Sequence, residues 1–341
     1  MTATLNAEML TLLLIYQQVA TVSAMSADKL GRVGVVVNRV SGVGPVLAAA
    51  SHAEAVGYGA AWLTNGGPED CMPLLAAIAT RTTRLRLGTS VVQTYPRHPV
   101  VLAAEANVID QLAPGRLRLG IGPSHDVVMA MMGIQRVAPF GHLREYLQVV
   151  RDLCSGQPVD FTGDHYRVAS SLNRRVDVPI LVGALQPKTF ELAGQAADGA
   201  ITWLCPAGYL ADVGLPAMER GAQSGGRSRP PLVAHLAVCV HQDAGEVRAA
   251  VRHGIPNIRF PSYQRMLVRA GLDEATAGAW TDKLVDEVIA WGPAPEVAGR
   301  IQQMFEIGAD EVLIRPIGAG AAAQEVIRWT IESVAAELSR L

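Results

Sequence analysis

The chain has few lysines and no strong excess of positive charge. Only three of its 29 basic residues are lysines (Lys29, Lys188 and Lys283), and the formal net charge is −2. No basic stripe points to nucleic acid or to an anionic membrane surface. A mechanism through a Schiff-base lysine has few candidate residues.

Cysteines are also scarce, and none are paired in sequence. Cys71, Cys154, Cys205 and Cys239 lie far apart with no C-x-x-C spacing, which argues against a zinc knuckle, a thioredoxin-type motif and a dense disulfide framework. The histidines lack H-x-x-x-H and H-x-x-E-H spacing, so we expect no catalytic metal. We predict a protein of the reducing cytoplasm.

No hydrophobic run is long enough to cross a membrane. The most apolar segment covers residues 9–16, and no lysine or arginine precedes it as in a signal peptide. We therefore expect neither membrane insertion nor secretion. Residues 1–30 are predicted to be an N-terminal extension outside the fold, and residues 31–341 a single domain.

Apolar residues are abundant, at 50% of the 341 residues, against 18% charged. This composition supports a large buried core, although the length alone suggests about two domains. From residue 31 onward, short β-branched runs alternate with longer helical segments, as in a parallel sheet. Eight strands are predicted, over 32–38, 60–64, 85–92, 117–121, 178–182, 199–202, 232–240 and 311–315.

Eight β/α units without a break in composition predict one α/β fold, a single (β/α)8 TIM barrel. Its extra length falls in insertions after strand four (123–177, with a hairpin over 159–168) and after strand seven (242–294). A Rossmann fold is the competitor, but His125 stands where the third glycine of G-x-G-x-x-G is required. The predicted helices cover 44–56, 72–81, 99–112, 143–153, 187–196, 295–306 and 321–338.

Catalytic residues of a barrel lie on the loops that follow its strands. Asn65 follows strand two. It is interpreted either as a hydrogen-bond donor to a ligand or as a residue that only forms the turn. The small residues at the end of strand three, 88–91, leave space for a planar ring. After strand four, Ser124 is predicted to cap a helix and His125 to act as acid or base, or to be a solvated first-turn histidine. Ser124, His125 and Asp126 are adjacent and cannot form a hydrolytic triad.

The turn after strand five leads into a helix that begins near Pro187. Its exposed backbone N–H groups, with Lys188 adjacent, form either a phosphate cradle or an ordinary β-to-α turn. His235 and His241 are predicted to flank a buried strand and receive no role in the site.

Several segments together resemble the bacterial-luciferase-like superfamily of flavin and deazaflavin oxidoreductases. The resemblance extends over residues 32–315 and is specific for the superfamily rather than for a substrate. The run Gly-Ile-Gly-Pro-Ser-His at 120–125 and the overall length are most similar to actinobacterial F420-dependent reductases related to methylenetetrahydromethanopterin reductase. The segments that carry the likeness are 88–99, 109–116, 119–122, 146–156, 178–180, 186–188, 192–194 and 197–199.

The resemblance implies coenzyme F420 as cofactor and a non-prolyl cis peptide between Ser90 and Val91, behind the deazaflavin ring. It also implies hydride transfer between C5 of the deazaflavin and a C=C or C=N bond of a small-molecule substrate, and a homodimer. Proton delivery is assigned to His125 and polar orientation of the substrate to Asn65, with Trp203 as a pocket wall or a rim residue. The expected cofactor-binding residues are Ser90, Val91, Gly122, Pro123, Ser124, His125, Gly183, Ala184, Leu185 and Gln186.

Two alternatives stay open at this point. One is an FMN-dependent monooxygenase of the same superfamily, and the other is a non-catalytic barrel that only binds a deazaflavin or another small molecule. Family members that act on a sugar phosphate carry a histidine after strand two and a glutamate at the position of His125. This chain has Thr64 and Asn65 after strand two, so the substrate of those members is not transferred to it.

Overall fold

Eight parallel strands close into a barrel in the computed structural model, which describes residues 30–38, 42–65 and 67–340. Each predicted strand corresponds to one barrel strand, because a parallel strand buried on both faces is a continuous apolar run. Pairing of β9 with β10 closes the ring. The barrel strands in spatial order are β1 (Val33–Val36), β2 (Ala60–Leu63), β3 (Arg86–Thr89), β5 (Leu117–Gly122), β8 (Ile180–Gly183), β9 (Gly199–Ile201), β10 (Leu232–Val240) and β12 (Glu311–Pro316).

Helices surround the barrel and connect its strands. All seven predicted helices are present, and prolines occupy the first turn of several of them, where the missing N–H costs no hydrogen bond. None of the helices in the described ranges is long and apolar enough to cross a membrane. The helices are α1 (Val43–Val56), α2 (Cys71–Ala79), α3 (Pro99–Leu112), α4 (Asp126–Ala130), α5 (Pro139–Cys154), α6 (Pro187–Ala196), α7 (Ala207–Tyr209), α8 (Leu215–Ser224), α9 (Ala244–Gly254), α10 (Pro261–Arg269), α11 (Asp282–Val288), α12 (Ala294–Glu306) and α13 (Ala323–Leu338), with a π-helical turn at Leu210–Gly214 and 3₁₀ turns at Pro256–Arg259 and Asp273–Ala277.

The N-terminal end of the barrel is filled by a tryptophan and an ion pair, here called the barrel plug (Trp62, Arg118 and Glu311). Trp62 Nε1 donates to Glu311 Oε1 at 3.2 Å, and the Arg118 guanidinium lies 4.5 Å from the centre of the indole ring. Arg118 also forms a salt bridge with Glu311. The indole fits because Gly88 faces it: a Cβ at this glycine would lie 2.2 Å from a ring carbon.

Both insertions occur where they are predicted. The first contains α4, α5 and an antiparallel hairpin of β6 (Val159–Thr162) and β7 (Arg167–Ser170). The second is mostly helical, and its α10 lies against His125 and Gln186, two of the predicted site residues. It also contributes β11 (Ala290–Gly292), a short strand beside β10 that the sequence analysis did not predict.

Two local predictions are wrong. The predicted third strand is interrupted at Ser90 and Val91, after which a separate short strand, β4 (Val92–Gln93), pairs with β5. Ser124 is not the N-cap of α4: it has a positive φ of 58°, and His125 takes the N-cap position. The carbonyl of Ser124 accepts a hydrogen bond from Arg136 at 2.6 Å.

The predicted N-terminal extension, 1–30, lies outside the described residues except for its last member. Leu30 is buried and belongs to the main hydrophobic core.

Candidate active site

The predicted site residues follow four strands that are neighbours in the barrel. Asn65 follows β2, Ser90 and Val91 follow β3, the 122–125 segment ends β5, and the 183–186 segment ends β8. Since parallel strands all end at the same rim, these segments meet at one mouth, the C-terminal face where barrel enzymes carry their sites. The structure therefore brings the predicted residues to one place.

The peptide bond between Ser90 and Val91 is cis, which confirms the geometry that the resemblance implies. On one side, the backbone N–H of Ser90 donates to the carbonyl of Leu63 at 2.8 Å. On the other, the N–H of Thr94 donates to the carbonyl of Gly122 at 3.0 Å. Before the cis peptide the chain thus pairs with both β2 and β5, and beyond it with β5.

Val91 forms the floor of the mouth. Its side chain packs on the inner barrel cluster that includes Trp62, Leu181 and Leu313. A glycine faces each of its two methyl groups. A Cβ at Gly122 would lie 3.0 Å from Val91 Cγ2, and a Cβ at Gly183 would lie 3.5 Å from Val91 Cγ1. Without side chains here, the rim of the barrel stays open above the valine.

A buried histidine for which the sequence indicates no role in the site contacts the hydroxyl of Ser90. His235 is 3% exposed, and its Nδ1 is 3.0 Å from the hydroxyl oxygen of Ser90. Its Nε2 is buried and has no hydrogen-bond partner among the described residues. Burial, with the nearby charge of Arg315, lowers the pKa of His235 well below its ordinary value, so the ring is neutral.

Strand periodicity could have identified this histidine. Val233 points into the barrel, where it belongs to the inner cluster. Side chains two residues apart in a strand share a face, so His235 points inward as well. The inward orientation of His235 is not obvious from the sequence, because its apolar neighbours on β10 are typical of any buried strand.

Trp203 and Arg315 form a second wall of the mouth. The Trp203 ring centre lies 4.2 Å from that of His235, and the Arg315 guanidinium lies 5.0 Å from the centre of the same indole. The wall combines an aromatic face with a positive charge. The charge also favours deprotonation of Tyr263, although burial is the larger effect and raises the pKa of this tyrosine.

His125 contacts the second insertion. Its ring stacks on Phe260 with centres 4.5 Å apart, and its Nδ1 lies 3.3 Å from Ser262 Oγ. Burial lowers its pKa to about 4, and the positive charge of Arg136 acts in the same direction. His125 is therefore neutral at physiological pH and is a packed residue rather than a solvated one.

Gln186 has its side chain committed to protein contacts. Its amide nitrogen donates to the carbonyl of Ser262 at 2.9 Å, and its amide oxygen accepts from Arg269 at 2.6 Å. In the same turn, the carbonyl of Leu185 accepts a hydrogen bond from Tyr209 at 2.8 Å. The two bonds of Gln186 tie α10 of the second insertion to the end of β8, and the bond from Tyr209 ties α7 to the same turn.

Asn65 is half-buried at the rim and follows Thr64, whose backbone is held by two hydrogen bonds. Asn38, at the end of the β1 segment, accepts from the N–H of Thr64 at 3.0 Å and donates to its carbonyl at 2.6 Å. This pair of bonds sets the direction in which the chain leaves β2. Asn65 is thereby held on the same rim as Ser90.

Metal and thiol chemistry find no support in the described ranges. They contain no group of three or more His, Cys, Asp or Glu side chains that could hold a metal ion. All four cysteines are buried and free, and burial raises each of their pKa values to about 12, so none is a thiolate at neutral pH.

A family model described as luciferase-like monooxygenase matches residues 14–311. The chain is 27% identical over 302 residues to 5,10-methylenetetrahydromethanopterin reductase of Methanolobus tindarius, covering 80% of this chain and 92% of that protein. It is 34% identical over 197 residues to F420-dependent glucose-6-phosphate dehydrogenase of Nakamurella multipartita, covering 55% and 58% of the two chains. A solved F420-dependent secondary alcohol dehydrogenase, in complex with an F420-acetone adduct, superposes with a TM-score of 0.76 at 19% identity, covering 91% of this chain and 99% of that one.

Proposed function

The chain belongs to the luciferase-like monooxygenase family, and we propose that within this family it is an F420-dependent oxidoreductase. Its reaction is hydride transfer between C5 of the deazaflavin and a C=C or C=N bond of a small organic substrate. The observation that carries this proposal is the match to F420-dependent enzymes. One of them, an F420-dependent glucose-6-phosphate dehydrogenase, is 34% identical to this chain over 197 residues.

The residues at the mouth fit a planar cofactor. Gly122 and Gly183 present no side chain above Val91, and at Gly122 a Cβ would already lie 3.0 Å from the valine. Ser90 and Val91 would support the ring from behind, while the 122–125 and 183–186 segments would hold its edge and its phosphodiester tail. Bound in its reduced form, coenzyme F420 supplies the hydride, and the protein supplies orientation and exclusion of water.

His125 would deliver the proton as a neutral imidazole. If Ser262 Oγ donates to Nδ1, the ring keeps its proton on Nε2, which can pass to the substrate while Nδ1 takes the serine proton. Ser262 is half-buried and within reach of solvent, which would restore its proton. A relay of this kind needs no imidazolium, in agreement with the pKa of about 4.

Asn65 would orient the substrate from the end of β2, on the same rim as His125 after β5, and Trp203 after β9 would form a wall of the pocket. The sugar-phosphate enzymes of the family carry a histidine after strand two, where this chain has Thr64 and Asn65. We therefore propose a substrate other than a sugar phosphate.

Binding of the purified protein to each cofactor tests the proposal directly. Titration with reduced and oxidised F420, followed by fluorescence, is expected to show saturable binding, and FMN at the same concentrations is expected to show none. Oxidation of reduced F420 in a single turnover with candidate imines and enones then tests hydride transfer. Tight FMN binding without F420 binding would overturn the proposal in favour of a flavin monooxygenase, and binding of F420 without turnover would favour a non-catalytic barrel.

A further inference from the structure

We propose that His235 is a positioning residue for the cofactor site: its neutral ring donates a hydrogen bond from Nδ1 to Ser90 and so fixes the serine hydroxyl beside the cis peptide. The inference rests on the proposed function, because it takes the Ser90–Val91 corner as the support of the bound ring. It concerns a residue whose sequence context indicates only a buried strand.

The contact joins two strands across the barrel interior. Ser90 follows β3 and His235 lies in the middle of β10, and these strands are not neighbours in the ring. The 3.0 Å contact between them is therefore a tertiary bond that no backbone ladder provides. Trp203 covers the other side of the imidazole, so the ring has little freedom to rotate.

The buried Nε2 indicates which nitrogen carries the proton. A buried N–H without a partner is costly and rare in folded proteins. If Nε2 carried the proton, His235 would bury such a donor, since no described residue accepts from it. With the proton on Nδ1, the ring instead donates to Ser90 Oγ and leaves an acceptor lone pair on Nε2.

This arrangement decides what Ser90 can do. Its oxygen accepts from His235, so its own hydroxyl proton remains available as a donor. Ser90 is half-buried at the mouth, so that proton can be donated to a group bound there. His235 would thus act through Ser90 and never touch the cofactor itself.

The first test is performed on the protein without cofactor. In protein labelled with ¹⁵N-histidine, long-range ¹H–¹⁵N spectra distinguish a protonated Nδ1 from a protonated Nε2. We expect His235 to be protonated on Nδ1, and Ser90→Ala to change that state or shift its Nδ1 resonance. A wild-type His235 with its proton on Nε2 would overturn the proposal.

The second test is a double-mutant cycle on F420 affinity. Loss of one such hydrogen bond corresponds to about a 3- to 10-fold rise in Kd, expected for Ser90→Ala and for His235→Leu, with no further rise when the two are combined. His235→Asn, whose amide can reach the Nδ1 position, is expected to restore most of the affinity. Melting temperatures of all variants show whether the fold is retained. His241→Asn, one residue beyond the end of the same strand, is the matched control with unchanged Kd.

The outcomes separate this inference from the proposed function. Wild-type binding of F420 with equal affinity in Ser90→Ala, or additive losses in the double variant, would overturn the role of His235 and leave the F420 proposal standing. Failure of the wild-type protein to bind F420 would overturn both.

Discussion

His125 shows how burial changes the chemistry available to one residue. A histidine ordinarily titrates near neutral pH and can donate a proton as imidazolium. Here it is half-buried against Phe260 and Ser262, and burial together with the positive charge of Arg136 lowers its pKa to about 4. The sequence indicates a histidine at the right loop, but only the folded chain shows that it must work in its neutral form.

Replacing His125 by Asn should therefore affect catalysis more than binding. We expect kcat to fall by about 100-fold, the lower end of the usual contribution of a general acid, with F420 affinity changed by less than about 3-fold. Stopped-flow oxidation of reduced F420 gives the rate, and a fluorescence titration gives the affinity. A variant with unchanged kcat would exclude His125 as the proton donor.

Three histidines with lowered pKa values should make the fold sensitive to mild acid: the half-buried His125 and the buried His142 and His235. Burial lowers the pKa of His125 and of His142 to about 4 from the ordinary 6.5. Below pH 6.5 the unfolded chain binds protons that the folded chain does not, so stability falls as the pH decreases from about 6.5 to about 4. Urea denaturation at several pH values should show this slope, and His142→Gln should reduce it; an identical slope in this variant would contradict the prediction.

At the scale of elements, the sequence is a good guide to strands and helices and a poor guide to breaks between them. The eight barrel strands are continuous apolar runs, so they are recognised without knowledge of their partners. The short β11 is missed because Ala290–Gly292 is too short to show a pattern. The strand break at Ser90 and Val91 is not predicted, because nothing in local propensity marks it; the resemblance implies only the cis peptide there.

The barrel plug depends on a strand residue without a side chain. Gly88 lies in β3, and a Cβ there would overlap Trp62 at 2.2 Å. We expect Gly88→Ala to lower the free energy of unfolding by about 3 kcal/mol, the upper range of overpacking costs. Gly299→Ala in α12 is the matched control, because its Cβ would meet open space and should stabilise the helix by up to about 1 kcal/mol. Chemical denaturation measures both, and equal effects would contradict the explanation.

At the scale of the whole molecule, the site is assembled from parts that are far apart in sequence. His125 and Ser262 are 137 residues apart, and Ser90 and His235 are 145 apart. Barrel topology places the strand ends on one rim, so the sequence is enough to predict that these segments meet there. The position of the second insertion over that rim is not predicted from the sequence, because it depends on contacts such as those of Gln186 with Ser262 and Arg269.

The homodimer that the resemblance implies has a candidate interface in an apolar stripe on α3. Val101, Val108 and Leu112 are seven and four residues apart, so they share one face of the helix, and each is between 45% and 53% exposed. We expect a dimer in sedimentation velocity experiments and a shift toward monomer in Val108→Lys. The matched control is Val127→Lys, an exposed valine outside the stripe, which should leave the dimer intact. A wild-type monomer would contradict the prediction.

The barrel plug also determines the route by which molecules reach the site. The plug of Trp62, Arg118 and Glu311 closes the N-terminal end of the barrel, so cofactor and substrate enter through the same C-terminal opening. A ring seated on Val91 occupies the deeper place and must enter first and leave last. Steady-state kinetics should accordingly be ordered. Oxidised F420 should inhibit competitively against reduced F420, and the product formed from the organic substrate should inhibit noncompetitively against it. Random-order kinetics would contradict a single shared entrance.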